Sequence, residues 1–231
     1  MSWMLGIDTS SVDMGIGLFK DGQAVASYSR YVKNSHAEHI SQAISQILSV
    51  NKIPPSEIKR IAITNGPGSF TGLRIGVAFT KGFAFSNGAL VHPVSSLHVL
   101  AHAARTRDGT IIAAIDARNG DVFHASFNCK DGILVRQSED SICSADEFIT
   151  KITSESVVVT DTMGYEKSMI FGPISSKALH IPIEKFSIQR GYFCAFIGAS
   201  KLEDHDTWIS EIDLHPNYLR SSAARIPSTK G

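Results

Sequence analysis

The chain has 231 residues, 43% of them hydrophobic, and its 22 lysines and arginines balance 22 aspartates and glutamates to a formal charge of zero. That composition suits a globular protein with a sizeable core, one large domain or two small ones. It excludes the basic stripe expected of a protein that grips tRNA or DNA by itself, so a nucleic-acid role would run through a partner. The cysteines Cys129, Cys143 and Cys194 match neither a disulfide framework nor a metal-ligand spacing. No basic-then-apolar leader opens the chain, and no apolar run approaches the ~20 residues that span a bilayer. The expectation is a cytoplasmic protein with no membrane segment.

In chain order, Met4 to Phe19 reads as two strands joined by the polar turn Asp8-Thr9-Ser10-Ser11. Asp21-Gly22 then makes a hairpin turn into a third strand, Gln23 to Tyr31, since Asp-Gly readily takes positive φ. Asp8, Thr9 and Ser10 at a strand end can face a phosphate or a metal-bound water, or can simply satisfy the turn. Residues Ser35 to Val50 predict a helix, with Ile40, Ala43, Ile44, Ile47 and Leu48 on one face and Ser35 and Glu38 as a capping box. His36 and His39 lie one turn apart, but the His-Glu-x-x-His zinc pattern is absent, so they read as a helix start or a contact surface.

After the strand Ile61-Ala62-Ile63 comes Thr64-Asn65-Gly66-Pro67-Gly68-Ser69-Phe70-Thr71-Gly72-Leu73-Arg74, the most sharply specified stretch. Its glycines permit close backbone approach, and a loop before a helix can present N–H groups to an anion. It is neither a P-loop nor a nucleophile elbow: no Gly-Lys-Ser/Thr follows, and Pro67 and Thr71 flank Ser69. Phosphate contact and close packing both remain open for it. The helix Leu73 to Asn87 is apolar nearly all round, with Gly76, Ala78, Gly82 and Ala84 among Val77, Phe79, Phe83 and Phe85. A strand at 89–94 and a helix capped by Ser95-Ser96 precede a polar link at 105–109, taken as the boundary between domains 1–107 and 108–231.

The second half begins as the first did. Ile111 to Arg118 mirrors the first strand with its aspartate, Asp116 answering Asp8, and Lys130-Asp131-Gly132 mirrors Lys20-Asp21-Gly22, at offsets of about 108 and 110. This predicts a duplicated three-stranded meander. A helix over 144–152, a strand over 157–160, a Gly164-Tyr165 loop, a core helix over 192–202 and a small polar tail from about 216 complete the chain, with no second glycine loop.

The combination of Ile7-Asp8-Thr9-Ser10, Gly66-Pro67-Gly68-Ser69-Phe70-Thr71-Gly72-Leu73-Arg74-Ile75-Gly76, Ile115-Asp116-Ala117-Arg118 and Pro216-Asn217-Tyr218-Leu219-Arg220 resembles the bacterial TsaB (YeaZ) family along essentially the whole chain. The resemblance implies an α/β, two-lobed, actin-like (ASKHA, ribonuclease H-like) fold with a duplicated mixed sheet. It implies a scaffold role in making threonylcarbamoyladenosine at position 37 of tRNA, with a TsaD-like catalytic subunit, a TsaE-like ATPase, a homodimer when alone, and tRNA met only through the complex. Carried onto this chain, the contact helices are 35–50 and 73–87, with His36, His39, Ile40, Ala43, Ile44, Ile47, Gly76, Phe79, Thr80 and Phe83 at the interface. No catalytic residue and no metal site is implied. If ATP or ADP binds, the candidate residues are Asp8, Thr9, Ser10, Gly68, Ser69, Asp116 and Arg118. Two other readings are an independent ATP-dependent small-molecule kinase, with Asp8, Thr9 and Asp116 holding Mg²⁺ and phosphate, and a metallopeptidase, which would need bound zinc.

Overall fold

The computed structural model describes residues 2–32, 35–161, 174, 176–183 and 189–219. The Gly164-Tyr165 loop and the tail beyond 219 lie outside the described residues. Two mixed sheets organise the chain. The first is built from β1 (Trp3–Asp8), β2 (Asp13–Lys20), β3 (Gln23–Tyr31), β4 (Ile58–Gly66) and β5 (Leu90–Ser95), in the order β3-β2-β1-β4-β5. Its meander is antiparallel, and β4 and β5 run parallel to β1. The second sheet repeats the plan. Its meander is β6 (Gly109–Arg118), β7 (Asp121–Lys130) and β8 (Ile133–Arg136), extended by β9 (Ser141–Ser144), and the parallel strands are β10 (Val157–Asp161) and β11 (Leu179–Ile183).

The duplication extends to backbone angles. Asp21-Gly22 has φ 49° and 79°, and Asp131-Gly132 has 53° and 77°, so both hairpins turn through paired left-handed residues. The result is an α/β arrangement with a duplicated mixed sheet. The strands β9 and β11 were not legible: β9 is four residues long, and β11 carries Pro182 in a run too short to show a period.

Among the described residues five helices cover the sheets: α1 (His36–Val50), α2 (Phe70–Asn87), α3 (Ser96–Ala101), α4 (Ala145–Thr150) and α5 (Arg190–Ala199). Helices α1 and α2 pack together on one face of the first sheet, around Leu5, Ile7, Met14, Ile16, Leu18, Ile61 and Ile63. Its other face carries α5, and α5 can lie close because that face is paved with glycine. A Cβ on Gly6, Gly15 or Gly17 would collide with Gly191 or its neighbours, and one on Gly191 would collide with Gly15 and Ile16. Helix α3 follows the first sheet in sequence yet packs into the second, with Leu97, Leu100 and Ala101 among Ile111, Ala113, Ala125 and Phe127. Thus α3 and α5 form the layer between the sheets, and α4 closes the outer face of the second through Phe148.

Helix starts follow local chemistry. Ser69, Ser95 and Ser144 each accept a hydrogen bond from the backbone three residues on, capping α2, α3 and α4. The capping box expected at Ser35 is not formed: Ser35 is the cap residue of α1, but its side chain makes no capping bond. No helix among the described residues is long and apolar enough to cross a membrane.

Candidate functional site

The end of β1 and the glycine loop meet, and the meeting is tight. Thr9 Oγ1 donates to the Gly72 carbonyl at 2.8 Å, and the Ser69 amide donates to the Ser10 carbonyl at 2.8 Å. Ser69 Oγ is taken up in capping α2. A Cβ would strike the Ser10 carbonyl from Gly68, the Thr9 carbonyl from Gly72 and Thr9 Oγ1 from Gly76. These glycines bring the first turns of α2 onto the strand end.

The loop's other side is covered as well. Asn217 N donates to the Asn65 carbonyl at 2.7 Å, and a Cβ on Gly66, at φ 137°, would meet the Asn217 carbonyl. The preceding peptide chain runs along α2, where Lys81 Nζ donates to the Ile212 carbonyl at 3.0 Å. Arg74 Nε donates to Tyr218 Oη at 3.0 Å while its guanidinium lies 3.9 Å from the Phe70 ring centroid. The Pro216-Asn217-Tyr218 stretch, apart from the undescribed Arg220, therefore fastens the end of the described chain to the glycine loop.

Asp8 is fully buried. Its Oδ1 accepts from Ser10 N at 2.9 Å and Ser10 Oγ at 2.8 Å. Asp116, at the matching place in the second sheet, is half-buried and accepts from Arg118 N at 2.6 Å, the same bond to the residue two on. Arg118 is exposed and stands at φ 65°. Two residues not anticipated complete the setting: Arg190, at the start of α5 and 3% exposed, donates from Nη2 to Asp161 Oδ2 at 2.6 Å. Burial pushes the Asp8 carboxyl up, and the positive charge of Arg190 pulls it back down. The only sequence signal for Arg190 was a charge opening an otherwise apolar helix.

The residues expected at a partner surface divide differently. Ile40, Ala43, Ile44 and Ile47 of α1 are 1–6% exposed, within the first sheet's own core. His36 is 5% exposed, and Gly76 and Thr80 are buried, while His39, Phe79 and Phe83 are half-buried. Burial pushes the His36 ring down from its ordinary range, opposed by the Ser11 backbone and Asp8. Beyond its exposed first turns (Phe70, Thr71 and Arg74), α2 turns outward Ala78, Gly82, Ser86 and the 77%-exposed Phe85, flanked by Ile75, Phe79 and Phe83. A Cβ on Gly82 would meet nothing within 4 Å, so no contact inside the chain calls for glycine there. Beside it α1 exposes an uncharged row, Ser41, Gln42, Ser45, Gln46 and Ser49.

Among the described residues no group of three or more His, Cys, Asp and Glu side chains could hold a metal. A surface cleft of about 300 Å³ lies between α3 and α5, lined by His102, Arg105, Gln189, Tyr192 and Phe193. Its rings are already stacked within the chain: His102 lies 5.1 Å from Phe193, and the Arg105 guanidinium sits 5.2 Å from the same ring.

Comparison with known proteins agrees with this architecture. The family model of TsaD, tRNA N6-adenosine threonylcarbamoyltransferase, matches residues 28–182. The tRNA threonylcarbamoyladenosine biosynthesis protein TsaB of Bacillus subtilis (strain 168) is 37% identical over 131 residues, which is 57% of this chain and 57% of that protein. The protein of the same name in Escherichia coli (strain K12) is 32% identical over 126 residues, 54% of each. The chain spans about half the length of the curated relatives it matches. Two crystal structures share the fold: a Pseudomonas aeruginosa protein with similarity to peptidase YeaZ (TM-score 0.79) and YeaZ from Pseudomonas aeruginosa (TM-score 0.76). Each is 21% identical, with 95% of this chain and 100% of that one covered. With a family model matched over more than half of its length, the chain belongs to the family that the TsaD model describes, and curated relatives that it matches carry the name TsaB.

Proposed function

We propose that this protein is a non-catalytic scaffold subunit of a tRNA threonylcarbamoyl transferase, working in the cytoplasm. In this reading it docks on a TsaD-like catalytic subunit, with a TsaE-like ATPase completing the assembly. It pairs with a second copy of itself when alone, and it meets tRNA only through the complex. The observation that carries the reading is the outward face of α2. Ala78 and Gly82 leave a shallow floor between Phe79, Phe83 and the exposed Phe85, so another helix can approach closely and bury those rings. The neighbouring uncharged row on α1 adds no like-charge barrier to such an approach. The similarity to TsaB proteins supports the assignment of the partner.

A catalytic role of its own, as kinase or peptidase, has no support in the site: the hydroxyls of Thr9, Ser10 and Ser69 all bond within the chain. The test is threonylcarbamoyl transfer to a tRNA that reads A-starting codons, reconstituted with TsaD-like and TsaE-like proteins. Reactions are run with this protein, without it, and with this protein alone. Modification in the complete mixture only is expected. Equal modification with and without the protein would overturn the scaffold reading, and modification by the protein alone would make it an enzyme.

A further inference from the structure

An actin-like fold implies a nucleotide and a divalent cation between its lobes, near the acidic strand ends. The residues present do not fit that pair. Asp8 closes the first sheet's β1 and Asp161 closes the second sheet's β10; the Arg190 guanidinium pairs with Asp161 at 2.6 Å and its charge acts on Asp8, so a fixed positive charge already occupies the neighbourhood where metal and phosphate would sit. Arg190 is held there by backbone. It opens α5, whose second residue, Gly191, sits against Gly15 and Ile16 so closely that any side chain would collide. Arg190 therefore belongs mechanically to the first lobe, while its ion pair to Asp161 reaches the second. All three charged residues are at most 7% exposed. Among the described residues Asp8 Oδ2 and Arg190 Nη1 have no hydrogen-bond partner, so the guanidinium is not fully spent on Asp161.

We infer that Arg190 is an internal substitute for the cation of the fold: it ties α5, seated on the first sheet, to the acidic end of the second and locks the lobes at one angle without a nucleotide. The inference stands apart from the proposed partner role, since it concerns only how the two lobes of this chain are held. Physically, a buried guanidinium paired with a carboxylate is a poor source of net stability, because desolvation offsets the attraction. What it supplies is geometry: separating the lobes would leave an uncompensated charge on each side.

The experiment measures lobe-to-lobe distance by double electron–electron resonance. Spin labels go on Ser45→Cys in α1 and Asp146→Cys in α4, both exposed positions, in a Cys143→Ser background with Cys129 and Cys194 buried. The parent protein should give one narrow population that Mg²⁺ with ATP does not shift. Arg190→Met should add a second population at a different distance. A lone buried carboxylate can prevent folding, so the double variant Asp161→Leu, Arg190→Met removes both charges and is checked for folding by near-ultraviolet circular dichroism. It should fold, and it should also show the second population. An unchanged distribution in the double variant would overturn the lock. Its failure to fold would do so too, by making the pair a requirement of folding instead of a tie between folded lobes. A shift of the parent protein by Mg²⁺ with ATP would overturn the substitution for the cation.

Discussion

Lowering the pH should loosen the layer between the sheets through two histidines. His98 and His102 stand one turn apart on the α3 segment with rings stacked at 5.4 Å; His98 lies against Phe127 and His102 against Phe193. Burial, then the neighbouring His102 and Arg136, pushes His98 from 6.5 down to about 3. Burial and Arg105 push His102 from 6.5 down to about 4. The folded state keeps both rings neutral where the unfolded chain protonates them. Their contribution to stability is whole above pH 6.5 and is lost as pH falls through 6.5 toward 4 and then 3. Each unit within that window costs ~1.4 kcal/mol per histidine, so moving from about pH 7 to about pH 5 should remove roughly 4 kcal/mol. That is a large share of the ~5–15 kcal/mol by which domains are usually stable. The assay is urea unfolding at both pH values, for the parent protein and for the double variant His98→Phe, His102→Phe. Other ionisable groups move both proteins alike, so the difference between their pH dependences isolates this pair. Parallel dependences would refute the reasoning.

The two faces of the α1–α2 pair should respond oppositely to substitution. Ile44→Ala, in the core, should lower the unfolding free energy by ~2–5 kcal/mol as measured by denaturant titration. Phe85→Glu, on the surface, should leave stability within about 0.5 kcal/mol yet abolish co-purification with a TsaD-like subunit. Gly191→Ala should destabilise by ~1–3 kcal/mol, although alanine is the better helix former by ~1 kcal/mol, because its methyl would press into β2. A stabilised Gly191→Ala protein would mean that α5 can lift from the sheet at little cost.

Much of the fold could be read from neighbouring residues. Asp-Gly pairs at 21–22 and 131–132 set two hairpins whose φ values agree within a few degrees, and the repeated strand–aspartate–strand order announced the duplication. Such features are legible because a turn's backbone angles depend on the residues in it. The glycine loop was recognisable, but its use was not: only the structure shows Gly68, Gly72 and Gly76 filled by Thr9 and Ser10, since a close approach names no partner in sequence. The apolar stripe of α1 likewise said that one face is buried, without saying whether against its own sheet or another subunit. Tertiary structure chose the sheet. It also decided that α5 returns to the first sheet and that Arg190 meets Asp161, 29 residues away. Sequence encodes what adjacent residues do to the backbone; which distant charge lies opposite a buried guanidinium is set by how two lobes pack, and packing is a property of the whole chain.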